Sequence, residues 1–276
     1  MVSLGGGLRQ RSPSCGVAFS MGTIQDWRGR SIETATSTGG VVAVVDPWAN
    51  VISTGVCPWP PPELIQKIYQ SRQARAFRDL HHSAATSTHG FYSDLQSLHS
   101  EDAITWSVFG PVVYASPERR AAFVTDLLSL LQIDGSADHA NVWLWRRLPH
   151  PDTLVSGGPE IDFGIHTADV FILGEAKWRS SVGAAQGVNR DKDQLTLRRE
   201  FCEKYGRRVL PNVRAFAVVG VSWKGSMIPN ANTKVEGVGI HACDTTWQQV
   251  ADLDSHPCSH EVRDYLAWKI ANSKSG

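Results

Sequence analysis

The sequence predicts an α/β fold in which a central mixed β-sheet is flanked by helices, behind a helical and partly irregular N-terminal extension. Two observations lead there. Residues 170–177 are apolar before they turn polar at their end and residues 214–221 (RAFAVVGV) read as a fully buried strand, the pattern of strands covered on both faces, whereas residues 161–165 alternate apolar and small or acidic positions. Helical apolar periods precede and separate these runs, and the order helix, strands, helix, strand, strand, helix is that of a sandwiched mixed sheet.

Taken in order, residues 1–42 are rich in Gly, Ser and Thr, lack a sustained apolar period, and read as an irregular extension. Residues 43–99 form a helical lead-in. Its PWPPP segment (58–62) stiffens the chain ahead of an amphipathic helix over 63–80, carried by Leu64, Ile65, Ile68 and Phe77. The main domain occupies 100–276. Ser100 caps a helix that begins Glu101-Asp102 and continues through Ile104, Val108, Phe109 and Val112. Pro117 opens a second helix through Phe123, Leu127, Leu128 and Leu131. Short strands follow at 142–145, 161–165 and 170–177, then a long helix over 184–205, strands at 214–221 and 238–241, and closing helices at 246–253 and 261–271.

Composition narrows the function classes. Hydrophobic residues make up 42% and charged residues 20% of the 276, and no stretch reaches the length of a membrane span. The apolar run after Arg9 and Arg11 is too short for a signal peptide, so the expectation is an intracellular, cytoplasmic chain. Five scattered cysteines without a CxxC pair suit reduced thiols. A formal net charge of zero excludes a protein that coats nucleic acid indiscriminately. Charge is nevertheless local: residues 179–208 hold eight basic and four acidic side chains, a stretch able to face a polyanion.

The chemistry concentrates in two of the predicted strands. Side chains alternate along a strand, so Glu175 and Lys177 share a face while Ala176 takes the other. A turn near Ala168 brings Asp162 beside Glu175. Two carboxylates and an ammonium around one point suit Mg²⁺, with Mn²⁺ as a substitute. Such an ion binds through one or two carboxylates and completes its shell with water and phosphate. The bound ion lowers the pKa of a water, and a lysine orients the attacking hydroxide or stabilises the charge that develops.

Pro159-Glu160-Ile161-Asp162, twelve intervening residues, and Glu175-Ala176-Lys177 resemble the PD-(D/E)XK motif of the restriction-endonuclease-like nuclease superfamily. The resemblance covers about residues 100–223, with Ile161 standing before the first acid where the motif has proline. It implies a restriction-endonuclease-like mixed sheet between helices and Mg²⁺-dependent cleavage of DNA, less often RNA. It also implies an acid on the preceding helix, the place of Glu101, and polar residues on the following helix, here Asp191, Lys192, Gln194 and Arg198. On this reading Asp162, Glu175 and Lys177 are catalytic; Asp162, Glu175 and Glu101 hold the metal; and Gln194, Lys192 and Arg198 contact nucleic acid. A homodimer is compatible with the sequence, which does not decide it. The alternative is a non-catalytic nucleic-acid-binding or assembly subunit with the same fold.

Other signals carry less. His241, Cys243, His256, Cys258 and His260 lack zinc-finger spacing and read as a buried strand-end cysteine with surface histidines. His81, His82, His89 and His99 fall in a polar connection. GxxxxGK[ST], GxGxxG and GxSxG elements are missing, so a nucleotide cofactor and serine-hydrolase chemistry find no support. Most of the ten tryptophans read as core, with Trp178 packing inward opposite Lys177.

Overall fold

The structure is a computed structural model that describes residues 20–36, 40–70, 93–152, 158–179, 192–232 and 239–273. The predicted extension of the first helix to residue 80, His81, His82 and His89, the helix over 184–191 and Asp191 lie outside those residues.

The central sheet has five strands: β4 (Asn141–Arg147), β5 (Glu160–His166), β6 (Val170–Ala176), β7 (Ala215–Ser222) and β8 (Ile240–Thr246). They lie in the order β4-β5-β6-β7-β8. The pairs β4/β5 and β5/β6 are antiparallel, and β6/β7 and β7/β8 are parallel, so the sheet is mixed as the sequence predicts. Every residue of β6 and β7 is buried, which explains the apolar runs 170–174 and 215–221.

Helices cover both faces. One face carries the larger core, where α2 (Glu101–Val113), α3 (Pro117–Leu130), α5 (Trp247–Ala251) and α6 (Ser259–Asn272) pack against Phe163, Ile165, Ile172 and Val219. Ser100 and Ser116 cap α2 and α3 by accepting from Ala103 and Arg119 amides. Residues 103–112 of α2 are all buried, so this helix runs through the interior rather than along a surface. Its Phe109 stacks on Phe163, with ring centroids 4.1 Å apart and planes 12° from parallel. The other face carries a smaller core in which α4 (Gln194–Phe201) and the π turn that continues it bring Phe201 and Cys202 onto Trp143, Ile161, Phe171, Leu173 and Phe216. Ile161 thus sits apart from Phe163 and Ile165, with which the alternation groups it. Among the described residues no helix is long and apolar enough to cross a membrane.

Two expectations need correction. Residues 20–36 and 42–44 are not irregular: β1 (Ser20–Gln25), β2 (Ser31–Thr36) and β3 (Val42–Val44) form a three-stranded antiparallel sheet. The β1–β2 turn closes on Asp26, whose Oδ1 accepts from the Arg28 and Arg30 amides at 2.9 and 2.8 Å, with Gly29 at φ 74°. β1 is almost wholly exposed, so it carries no apolar alternation to read. The helix after β6 is also shorter than predicted. Asp193 is extended (φ −74°, ψ 169°) and caps α4 by accepting from Thr196 N at 2.7 Å, so a helix begun at 184 does not run through this point.

The lead-in belongs to the same core as the sheet. Val44, Val51, Ile52 and Leu64, the last on α1 (Pro62–Gln70), are buried with Leu95 and Leu98 against α2. The N-terminal sheet is tied to α6, since Trp268 Nε1 donates to Gln25 O at 2.8 Å and Trp27 Nε1 to Glu261 at 3.0 Å.

Candidate active site

The β5–β6 hairpin pairs Phe163 with Gly174, which brings Asp162 and Glu175 side by side at the open end of the ladder. The close approach needs glycine at both crossings. A Cβ on Gly174 would fall inside the Phe163 ring, and one on Gly164 inside the Trp143 ring. Asp162 Oδ2 accepts from the Ala176 amide at 2.7 Å and locks the hairpin at its acidic end. Oδ1 carries no hydrogen bond among the described residues.

Lys177 follows β6, its amide still donating to Val221 O at 2.9 Å. Its Nζ meets three oxygens: Glu175 Oε1 at 2.8 Å, Glu101 Oε2 at 3.2 Å and the Ala176 carbonyl at 3.2 Å. Glu101 reaches the site from the capped N-terminus of α2, and its other oxygen accepts from Trp178 N at 3.2 Å. From the opposite layer, Arg198 of α4 forms an ion pair with Glu175 Oε2 and donates to Glu160 O at 2.8 Å. With its amide nitrogen turned inward, Gln194 donates to Glu175 Oε1 at 2.6 Å. Residues far apart in sequence therefore converge on one carboxylate.

A second group adjoins the first. Lys67 of α1 binds Glu160 Oε1 at 2.5 Å and Asp102 Oδ1 at 3.2 Å, with its ammonium 5.0 Å from the centre of the Trp145 ring. Five carboxylates (Glu101, Asp102, Glu160, Asp162, Glu175) thus face four cations (Lys67, Arg147, Lys177, Arg198), a formal excess of one negative charge. The protonation equilibria reflect burial and this excess. Burial and then the Asp162 charge push Glu175 up to about 7, against the pull of Arg198 and Lys177. Burial lifts Asp102 to about 6, with Lys67 opposing and Asp162 and Glu160 adding. Burial pulls Lys177 down, but Glu175, Asp162 and Glu101 outweigh it and hold the ammonium above its usual range.

Among the described residues no three carboxylate, imidazole or thiol groups stand ready as a metal cage. A Mg²⁺ site does not require one, since one or two carboxylates with water and phosphate suffice. The cradle around Lys177 Nζ already holds one cation on carboxylate and carbonyl oxygen, the hard donor set such an ion takes. The donors fit the group.

The predicted residues divide. Asp162, Glu175, Lys177 and Glu101 come together. Gln194 and Arg198 also arrive, but facing Glu175, and Arg198 has no exposed side-chain surface, which corrects its assignment as a nucleic-acid contact. Lys192 stands apart, held by Glu200 at 2.8 Å and Asp152 at 3.3 Å. Of the basic stretch, Arg199, Lys204, Arg207 and Arg208 are exposed, Arg199 paired with Glu203 and Lys204 with Asp152. Lys67, Asp102 and Glu160 escaped the sequence reading. Glu160 shares the strand face of Asp162 and Asp102 adjoins Glu101, but nothing in the sequence marks Lys67. Asp244 of β8 was missed too. Gly220 lies between it and Glu175 in register, and Asp244 Oδ1, buried and without a hydrogen bond among the described residues, occupies the space a Gly220 side chain would fill.

The histidine–cysteine signal resolves differently from expectation. His256 is not a surface residue: it is 3% exposed, bonded through Nε2 to Val108 O at 2.7 Å and through Nδ1 to Cys258 N at 3.1 Å. Cys243 is buried as expected, its Sγ 3.6 Å from Leu131 O.

Comparison of the chain with family models, with curated proteins and with solved structures returns no match.

Proposed function

We propose that this chain is a metal-dependent nuclease of the PD-(D/E)XK, restriction-endonuclease-like kind, hydrolysing phosphodiester bonds, with internal cleavage of DNA as its leading activity. One observation carries the reading. Glu101 and Glu175, 74 positions apart in the chain, pair with a single ammonium at the end of a buried strand, and Asp162 accepts from the Ala176 amide beside it, although burying Glu175 in this acidic group is costly. Clusters whose environment displaces pKa values are characteristic of sites that do chemistry.

In this reading Asp162, Glu175 and Glu101 hold a Mg²⁺ or Mn²⁺ ion, which supplies Lewis acidity and an acidified water. Lys177 shifts from its present carboxylate partners toward the scissile phosphate, where its ammonium orients the nucleophile and offsets charge on the phosphoryl oxygens. Arg198 and Gln194 hold Glu175 in its rotamer from the opposite layer, and Arg207 and Arg208 offer exposed charge to the backbone of the substrate.

A second reading, a non-catalytic nucleic-acid-binding or assembly subunit of the same fold, draws on a different observation. Both Glu175 oxygens are engaged by Lys177, Arg198 and Gln194, the pattern of a structural ion-pair network. Cleavage decides between them. Labelled plasmid, linear duplex, single-stranded DNA and RNA are incubated with the protein and Mg²⁺, Mn²⁺ or EDTA. Metal-dependent cleavage of any of them supports the nuclease, and the preferred substrate names its class. Binding without cleavage under every metal condition contradicts it.

A further inference from the structure

One residue beside the candidate active site holds a backbone conformation that bulky side chains seldom adopt. Trp145 of β4 has φ 52°, in the left-handed region where an aromatic residue is strained. It stands between the pairs Leu144/Phe163 and Arg146/Ile161, directly across the ladder from Asp162. The alternation of faces slips here on both strands. Trp143 lies in the smaller core, but Leu144 and Trp145, neighbours in sequence, both pack on the larger one; across from them Phe163 joins the larger core and Ile161 the smaller. The left-handed step therefore turns the indole away from α4 and toward α1 and α2. There it stacks on Trp106, centroids 6.1 Å apart and planes 21° from parallel, and its ring centre lies 5.0 Å from the Lys67 ammonium. Trp145 Nε1 is buried without a hydrogen bond among the described residues, so the ring is placed by its π-face rather than by its polar end. Lys67 is delivered by α1, which Tyr114 OH fixes by donating to Glu63 Oε2 at 2.6 Å. The charge of Asp162 reaches this ammonium together with those of Asp102 and Glu160.

We propose that Trp145 is a positioning residue that holds Lys67 as a tethered cation beside Asp162, weakening the site's hold on a divalent ion and easing the approach of a nucleic-acid phosphate. The inference deepens the metal-dependent reading above and rests on it for the ion and the phosphate. With Lys67 in place five carboxylates face four cations; without it they face three, and the formal excess of negative charge rises from one to two. The ammonium is already engaged, by Glu160 at 2.5 Å and Asp102 at 3.2 Å, so it does not serve as the partner of a phosphate. It acts through its field: a positive charge repels an incoming metal ion, and a smaller negative excess repels a polyanion less. For packing alone, an aliphatic side chain on the Trp145 ring would serve without burying a charge.

Two titrations separate this field from the fold. Mn²⁺ binding to the full chain is followed by electron paramagnetic resonance, and binding of a labelled DNA duplex is measured in EDTA, for wild type, Lys67→Met, Lys67→Arg and Trp145→Leu. Lys67→Met is expected to bind Mn²⁺ at least about threefold tighter and the duplex at least about threefold more weakly. Trp145→Leu is expected to move both affinities in the same directions, and Lys67→Arg, which keeps the charge, to match wild type. Damage to the fold would weaken both. If the two affinities of Lys67→Met stay unchanged or fall together, the tethered cation is overturned; if Trp145→Leu matches wild type in both titrations, the part given to Trp145 is overturned. Cleavage is then followed in Mg²⁺. Wild type that cuts, with no opposite shift in Lys67→Met, removes this proposal and leaves the nuclease standing. Opposite shifts in a protein that cuts nothing uphold the tethered cation and remove the nuclease reading. Mn²⁺ bound by neither wild type nor Lys67→Met overturns both.

Discussion

Arg198 has no exposed side-chain surface and Glu175 is 1% exposed, so each is the other's principal compensation inside the protein. Removing one partner of a buried pair leaves an uncompensated charge, which costs about 3–5 kcal/mol. Arg198→Ala is therefore expected to lose that much stability in urea unfolding. A side chain serving as a nucleic-acid contact would instead leave stability unchanged and weaken binding alone. At this scale the sequence was legible where chemistry repeats a spacing. Strand alternation and one turn bring Asp162, Glu175 and Lys177 together on the sequence alone, and the family resemblance points to Glu101; the structure places the four near one another. Arg198 was seen but misassigned, because a basic residue on a helix reads as solvent-facing until the opposing layer is known. Lys67 was not legible at all. Its role depends on α1 packing beside β4 and β5, a long-range contact that no local pattern encodes.

At the scale of elements, the hairpin that carries both acids depends on its two glycines. Gly174 gives Phe163 the room to lie on Phe109, and Gly164 does the same for Trp143 on the other face. Gly174→Ala is expected to destabilise the protein by about 1–3 kcal/mol through overpacking, and to lower any activity by displacing Glu175, which follows directly. Thermal unfolding and cleavage measured on the same preparation check both; a variant as stable as wild type would contradict this account of the crossing. Long buried strands and capped helices were legible because burial on two faces and cap chemistry leave strong marks, as in β6, β7 and the Ser100 and Ser116 caps. β1 and β2 were not, since their exposed side chains lack a period and their turn depends on Asp26 bonding to two amides. The start of α4 was placed early because the polar residues before Asp193 do not break a helical pattern by themselves.

For the whole molecule, the packing of α2 onto the segment before α6 sets a pH limit. Burial holds His256 down at about 4 against an ordinary 6.5, and its two ring nitrogens are already bonded as the neutral form requires. As pH falls below 6.5 the unfolded chain binds a proton that the folded chain refuses, so stability present above 6.5 is lost progressively toward about 4. The gap corresponds to roughly 3 kcal/mol. Urea midpoints measured between neutral and acid pH are expected to fall across this window, and to fall less in His256→Gln. Equal slopes in the two proteins would remove His256 from the account. The central claim, that Asp162 and Lys177 act on phosphodiester bonds with a divalent ion, is tested most directly by single-turnover cleavage of the preferred substrate by wild type, Asp162→Asn and Lys177→Ala, in Mg²⁺ and in EDTA. The expected result is cleavage by wild type in Mg²⁺ alone, reduced at least about a hundredfold in both variants. Variants that are folded and cut as fast as wild type would contradict it.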